Sequence, residues 1–508
     1  MIADASIPMT GCPRRVTAVA FGDFLSGSAG AFLVIGIIAA PWMYGATRHW
    51  AIIALCQCLS CMAGLWIIGL LFSQRPPAVP LPLLTAAFFL LLSGWGVVLT
   101  RPALPPDPEF AAHFAELYAR WPGSFIVKTP VETMWLYTGL LAAALVATDL
   151  SRRRFWQESF AITIVATGAS IVLLGFAQIR SGATAMLWDT RVPFVGYFFG
   201  TYFHRTIAGA FINLTWPVAA GLLLYALYCG AKMTPARIAE IALWGLLTAI
   251  GVSGIFAQLC RFAQANVGFL LIALIGWLIW RFPARRTPYI GAGILLICLL
   301  ASIACVVNFS PSTADSIKAR WKSSFVPAAP PPPPQTSLQS PRMRADLFME
   351  SDNPIASQFM GTERMADATC LRMIPAAGLF GFGPGTWSRT YFHFTTDPLL
   401  RTFFLYTQFA HQDYLQTIVE WGLLGAAAWG LILFGGLRSG FARLRRFRRE
   451  GAGMTREEGI VLGALASLIG VLLHSMIDFP LQIPSIQLYA CVLLALLWQR
   501  NPPALADQ

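Results

Sequence analysis

About twelve apolar runs, each close to or above 18 residues, divide this chain, and no other feature restricts its fold as tightly. A run of that length crosses a hydrocarbon core of ~30 Å only as a helix, since a helix alone satisfies its own backbone donors and acceptors where water is absent. The runs cover residues 22–41, 51–72, 81–100, 132–150, 160–179, 207–228, 238–259, 265–282, 289–309, 414–437, 459–477 and 484–499. The expected fold is therefore an all-α polytopic membrane protein with one long external loop. It divides into helices one to nine (1–309), the loop with a spacer and short helices (310–412), and helices ten to twelve with a tail (413–508). Charged residues make up 12% of the 508 positions, against about 25% in soluble domains, which excludes a soluble globular class.

The basic residues set the expected orientation. Arg152-Arg153-Arg154, Lys232 with Arg237, Arg281 with Arg285-Arg286, and the Arg438 to Arg456 cluster occupy alternate short connections. The positive-inside rule puts those connections in the cytoplasm. An even number of spans then leaves both termini inside and the long loop outside. The net charge of +12 reports topology and contact with anionic lipid rather than nucleic acid binding. The first run follows Arg14-Arg15 and reads as a retained helix, because no small-residue cleavage site follows it. Cys58 and Cys61 have CxxC spacing within an apolar run, which reads as packing, since no second ligand pair accompanies them. Cys370 stands alone in the long loop, so no disulfide can form within it.

Three external segments carry the polar chemistry. Arg101 to Val131 combines prolines with an amphipathic piece, Glu109 to Arg120, expected along the membrane interface. Arg180 to His204 holds Trp188, Asp189, Arg191 and Tyr197-Phe198-Phe199, then enters the sixth span through Tyr202-Phe203-His204-Arg205. In the long loop, Pro327 to Pro334 reads as an extended polyproline spacer. Thr362 to Ile374 follows as an amphipathic helix with Met365, Ala368, Thr369 and Arg372 at helical spacing. Next comes Gly378-Leu379-Phe380-Gly381-Phe382-Gly383-Pro384-Gly385. Its glycines permit positive φ, but the spacing is neither a Walker nor a dinucleotide fingerprint. A tight turn setting the loop against the bundle and a phosphate cradle are the two readings.

A charged group in mid-membrane costs roughly 2.5–3.5 kcal/mol, so ionisable residues near the spans form a short list. Arg205 opens the sixth span and Arg261 sits in the short turn before the eighth. Both guanidinium groups face one side, as a pyrophosphate clamp or as snorkelling anchors. His411 precedes the tenth span, where an imidazole with a pKa near 6.5 can take a proton from a hydroxyl. Asp413 and Gln416 have capping-box spacing, with Asp413 as N-cap. Glu420, four residues after Gln416, reads as a satisfied polar contact inside the bundle. Gly422 and Gly425 read as sites of close helix approach. His474 and Asp478, four apart, share a helical face in which the carboxylate orients the imidazole or both hold the helix end.

At these positions the sequence resembles the O-antigen ligase family, which includes O-antigen polymerases and related glycan-joining membrane enzymes. Three pieces carry the resemblance: Ala410-His411-Gln412-Asp413-Tyr414-Leu415-Gln416 running into Glu420-Trp421-Gly422-Leu423-Leu424-Gly425; Gly381-Phe382-Gly383-Pro384-Gly385-Thr386-Trp387; and His474 through Asp478-Phe479-Pro480-Leu481-Gln482-Ile483-Pro484. The resemblance implies a GT-C-like bundle in the bacterial inner membrane with a periplasmic loop. It implies metal-independent, cofactor-free inverting transfer of an undecaprenyl-pyrophosphate-linked glycan to a lipid A-core or other glycan acceptor. His411 would be the catalytic base. Arg205, Arg261, His204, Arg364 and Arg372 would bind substrate, and Asp413, Tyr414, Glu420, His474 and Asp478 would support them. The alternatives are a polymerase, whose acceptor is a second lipid-linked glycan, and a small-anion transporter. Transporters often show repeated halves, which this sequence lacks.

Overall fold

The computed structural model describes residues 13–100, 128–189, 198–283, 287–309, 311–325, 354–391, 394, 409–451 and 453–499. Among them every long element is a helix and no β-strand occurs. In chain order these are α1 Pro13–Trp42, α2 His49–Ser73, α3 Leu81–Leu99, α4 Lys128–Leu150, α5 Arg154–Ser181, α6 Arg205–Tyr228, α7 Pro235–Ala257, α8 Arg261–Arg281 and α9 Thr287–Phe309. Then follow α10 Pro311–Phe325 and α11 Pro354–Ala377 in the long connection. The chain closes with α12 Asp413–Glu450, α13 Arg456–His474 and α14 Pro484–Trp498. Eleven of the described helices are long and apolar enough to cross a membrane. The protein is a multi-pass helical membrane protein.

The expected twelfth span, α14, has 15 residues, which at 1.5 Å per residue reach only ~22 Å. It tolerates this because nearly all its side chains are buried, packed among α4, α12 and α13. The Glu109 to Arg120 piece, the Pro327 to Pro334 spacer, Arg191 and Tyr197 lie outside the described residues.

The centre of the bundle is α6, whose apolar window is wholly buried, against α13, which is 78% buried. Glycines make this approach possible. A methyl group on Gly459 would stand 2.6 Å from the Gly221 carbonyl oxygen, and one on Gly463 would stand 2.6 Å from the Val218 Cα. Small residues four apart let the two backbones touch, the usual solution where lipid offers no hydrophobic drive between helices.

At the end of the bundle where α6 and α12 finish, the basic residues read as orientation signals also form internal ion pairs. Arg281 on α8 meets Glu458 on α13 at 2.8 Å with both side chains nearly fully buried. Arg443 pairs with Glu457 at 2.6 Å. Arg456 bridges Glu158 and Glu240 at 3.0 Å each. Arg237 donates to the Ala226 and Leu227 carbonyls that end α6.

At the opposite, loop-bearing end, α11 is longer than the Thr362 to Ile374 expected. Ala366, Thr369, Cys370, Met373 and Ala377 are covered, while Ala368 and Arg372 are exposed. The covered side packs on the first turns of α12. There α12 breaks at Gly422, with φ 66° and ψ −176°. In an unbroken helix the Leu423 and Leu424 amides would bond to the carbonyls of Val419 and Glu420. Instead those carbonyls accept from Phe382 and Gly383, at 3.0 and 2.9 Å, and the freed amides donate to Gly378 and Leu379, both at 3.1 Å. The glycine-rich turn thus replaces the missing helical bonds one for one, as buried backbone requires. Gly422 is therefore the seat of a helix break, not the helix-packing glycine expected from sequence. The tight-turn reading of Gly378 to Gly385 is the one this geometry favours.

Candidate active site at the loop end of the bundle

Four chain segments meet where α6, α8 and α12 begin and α13 ends. The turn after α13 carries Asp478, 5% exposed. Its Oδ1 lies 3.5 Å from His411 Nδ1 and its Oδ2 lies 3.9 Å from His474 Nε2. His474 is the last residue of α13, so the pair is made across a turn and not along one helical face as the spacing implied. His204, the N-cap residue of α6, joins the group electrostatically, and its Nδ1 shares a hydrogen bond of 2.7 Å with Thr206 Oγ1. The His411 ring stands edge-on to Phe479 at 5.0 Å, and the His474 ring edge-on to Phe262 at 5.1 Å. His474 Nδ1 is buried without a hydrogen-bond partner among the described residues.

Burial alone would raise the Asp478 carboxyl. The hydrogen bond and charge of His411, with His204 and His474 behind it, instead hold it far below the usual carboxylate range. Burial pushes His204 the other way, down to about 4. Asp478 opposes that shift, while His411, Arg205 and His474 add to it. The neutral form of His204 and the ionised form of Asp478 therefore coexist at physiological pH. A carboxylate facing one imidazole nitrogen stabilises the imidazolium that forms when the other nitrogen takes a proton. His411, with 15% of its side chain exposed, is the imidazole of the pair that retains access to solvent; His474 is 1% exposed.

The first turns of α12 are a scaffold for this pair. The N-cap is Gln412, whose side chain accepts from the Leu415 amide, and not Asp413 as the spacing suggested. Asp413 is displaced from that role because its carboxylate serves the turn after Asp478. It accepts from the Leu481 amide at 2.9 Å and the Gln482 side chain at 3.1 Å. Its own amide donates to the Ser475 carbonyl. Tyr414 ties α12 to α13 by donating to the Leu472 carbonyl at 2.7 Å. Gln416 accepts from the Ala410 amide and donates to Glu420. Glu420 is a satisfied buried group as expected, bonded to Gln416 within α12, and it also reaches the loop. Its carboxylate accepts from the Gly385 amide at 3.0 Å and the Trp387 amide at 3.1 Å.

Arg205 and Arg261 are the first residues of α6 and α8, so both stand at positive helix ends on the site's side of the membrane. Arg205 lies within electrostatic reach of His204 and of Cys260. Arg261 donates to the Arg320 carbonyl at 3.2 Å, which fastens α10 over the start of α8. Trp321 adds a bond of 2.7 Å to Gln264. Arg372 is exposed on α11, and no contact among the described residues ties it to His411. Arg364 belongs to the α11 backbone, with its side chain outside the described residues.

Asp367 escaped the sequence reading. It lies on α11, partly buried, within electrostatic reach of His411. Its Oδ1 is buried and unpartnered among the described residues. An acidic residue in an amphipathic helix carries no sequence signal of such a position. Among the described residues no three His, Cys, Asp or Glu side chains are placed to hold a metal ion. Compared with known proteins, the chain matches no protein-family model and no curated protein.

Proposed function

We propose that the protein is a membrane glycosyltransferase of the O-antigen ligase type, with a GT-C-like bundle, working at the periplasmic face of the bacterial inner membrane. The observation that carries the reading is His411 beside the buried Asp478 carboxylate, at 3.5 Å, on the bundle end where Arg205 and Arg261 begin their helices. The donor is a glycan on undecaprenyl pyrophosphate and the acceptor a glycan hydroxyl, lipid A-core or another. His411 takes the acceptor proton as the acceptor oxygen bonds to the donor's anomeric carbon. The bond from that carbon to the pyrophosphate oxygen breaks, and its electron pair leaves with the pyrophosphate. Arg205 and Arg261 meet the charge that develops there. Asp478 steadies the imidazolium. General-base assistance of this kind contributes roughly 10²- to 10⁴-fold, and fixed cations on a leaving group act in the same direction.

The test is gel analysis of surface glycan in a deletion strain complemented with wild type, His411→Ala or Arg261→Ala, each shown to reach the membrane. The proposal expects wild type alone to restore the glycan. Long chains left on the lipid carrier would mark a ligase, and single repeat units would mark a polymerase working through the same site. Normal glycan in cells carrying His411→Ala would remove the basis for the assignment and reopen anion transport.

A further inference from the structure

Among the described residues, Asp367 is the one carboxylate near His411 with a buried oxygen left unpartnered. Ala366 and Ala410, the residues immediately before Asp367 and His411, are both fully buried in one packed cluster with Cys370, Phe382, Trp387 and Val419. The strap from Gly378 to Gly385 and the bond from Trp387 Nε1 to Cys370 Sγ, 3.2 Å, fix α11 at that height over α12. The neighbours of both residues thus share one cluster, and Asp367 lies within electrostatic reach of His411 although 43 residues separate them in the chain. The Asp367 Oδ1 atom is shut off from solvent and accepts no hydrogen bond among the described residues. An unpaired buried carboxylate oxygen is costly and calls for an explanation.

We infer that Asp367 is a positioning residue for His411, a second carboxylate that partners the imidazolium each time the acceptor proton arrives. The inference rests on His411 acting as the base. With Asp478 on one side and Asp367 contributed by the loop, the ring is charged between two carboxylates held on different elements. Burial raises the Asp367 carboxyl and the nearby His411 opposes that rise, so a positive charge on His411 relieves the cost of the bare oxygen. Among the described residues, the other charged or titratable groups facing this centre are His204 and Arg205 from α6, Cys260 before α8, Asp413 from α12, and His474 from α13. Among the described residues, Asp367 is the one of these carboxylates that comes from the loop. Seating α11 on the bundle therefore completes the environment of the base, and its displacement would leave a weaker one.

The experiment titrates His411 directly, with no need for a glycan substrate. Full-length protein carrying ¹³C-labelled histidine is placed in lipid nanodiscs, and the His411 signal among the six histidines is assigned by its loss in His411→Gln. Asp367→Asn should lower the pH at which the His411 ring titrates by about one unit, the effect of removing one nearby opposite charge. Asp367→Glu, which keeps the charge, should titrate close to wild type. An unchanged titration in Asp367→Asn overturns the inference, as does an equal shift in both variants, which would report packing rather than charge. Because the readout is protonation and not transfer, either failure leaves the glycosyltransferase reading to stand or fall on His411→Ala.

Discussion

Replacing Gly422 by alanine tests how the loop is held over the site. Its φ of 66° and ψ of −176° lie in a region open essentially to glycine alone, and a side chain there costs roughly 1–3 kcal/mol. The new Cβ would also run into the Gly381 amide nitrogen and the Leu379 carbonyl. These are rigid backbone atoms of the strap, so the strap must retreat and forfeit some of its four backbone bonds to α12. Each such bond contributes about 0.5–1.5 kcal/mol net. Strain together with one or two lost bonds comes to about 3 kcal/mol, and each 1.4 kcal/mol is tenfold. Hydrogen exchange by mass spectrometry should therefore show the 378–385 and 419–424 segments opening about a hundredfold more readily, with α6 unaffected. Gly64→Ala is the control, because a Cβ there meets nothing within 4 Å. If Gly422→Ala exchanges in these segments as slowly as the control, the strap does not hold the loop in the way described.

Three further outcomes are expected. Asp413→Ala removes the acceptor of the Leu481 and Gln482 bonds. It should cost about 1–3 kcal/mol, the penalty of leaving buried donors without their acceptor, and depress glycan transfer because Asp478 rides on the same turn; a wild-type thermal midpoint would contradict this. Glu458→Ala leaves Arg281 charged and buried without the partner it meets at 2.8 Å and should cost about 3–5 kcal/mol. The double change Arg281→Met with Glu458→Leu should recover most of that loss, and a double variant no better than the single would refute the pairing argument. For His204, the unfolded imidazole binds its proton near pH 6.5, whereas the folded one resists until about pH 4. Acidification through that window therefore favours the unfolded state, and stability falls. His204→Gln should lose less thermal stability than wild type between pH 6.5 and 4, and equal slopes would show that His204 is not the group responsible.

The sequence alone determined the membrane class and the order of the apolar helices, because span length and backbone satisfaction in lipid leave little freedom, but not their ends: α1 begins at Pro13 and α12 runs on to Glu450, well beyond the apolar runs. It also marked His411, Glu420, His474 and Asp478, since ionisable groups beside apolar runs are rare enough to stand out. It could not show which of them meet. Asp478 lies between His411 and His474 because a turn, not a helix, follows α13, and because Asp413 gives up its capping position to hold that turn. Glu420 turned to the loop once Gly422 broke the helix behind it. The arginines Arg281, Arg443 and Arg456 looked like orientation signals and proved to be ion-pair partners across helices distant in sequence. Asp367 gave no signal, because its position beside His411 depends on how α11 seats on α12. Local pattern reports length, period and which residues are costly in lipid; pairing between distant segments is decided by close packing and by backbone groups that must find partners, and only the folded chain contains that information.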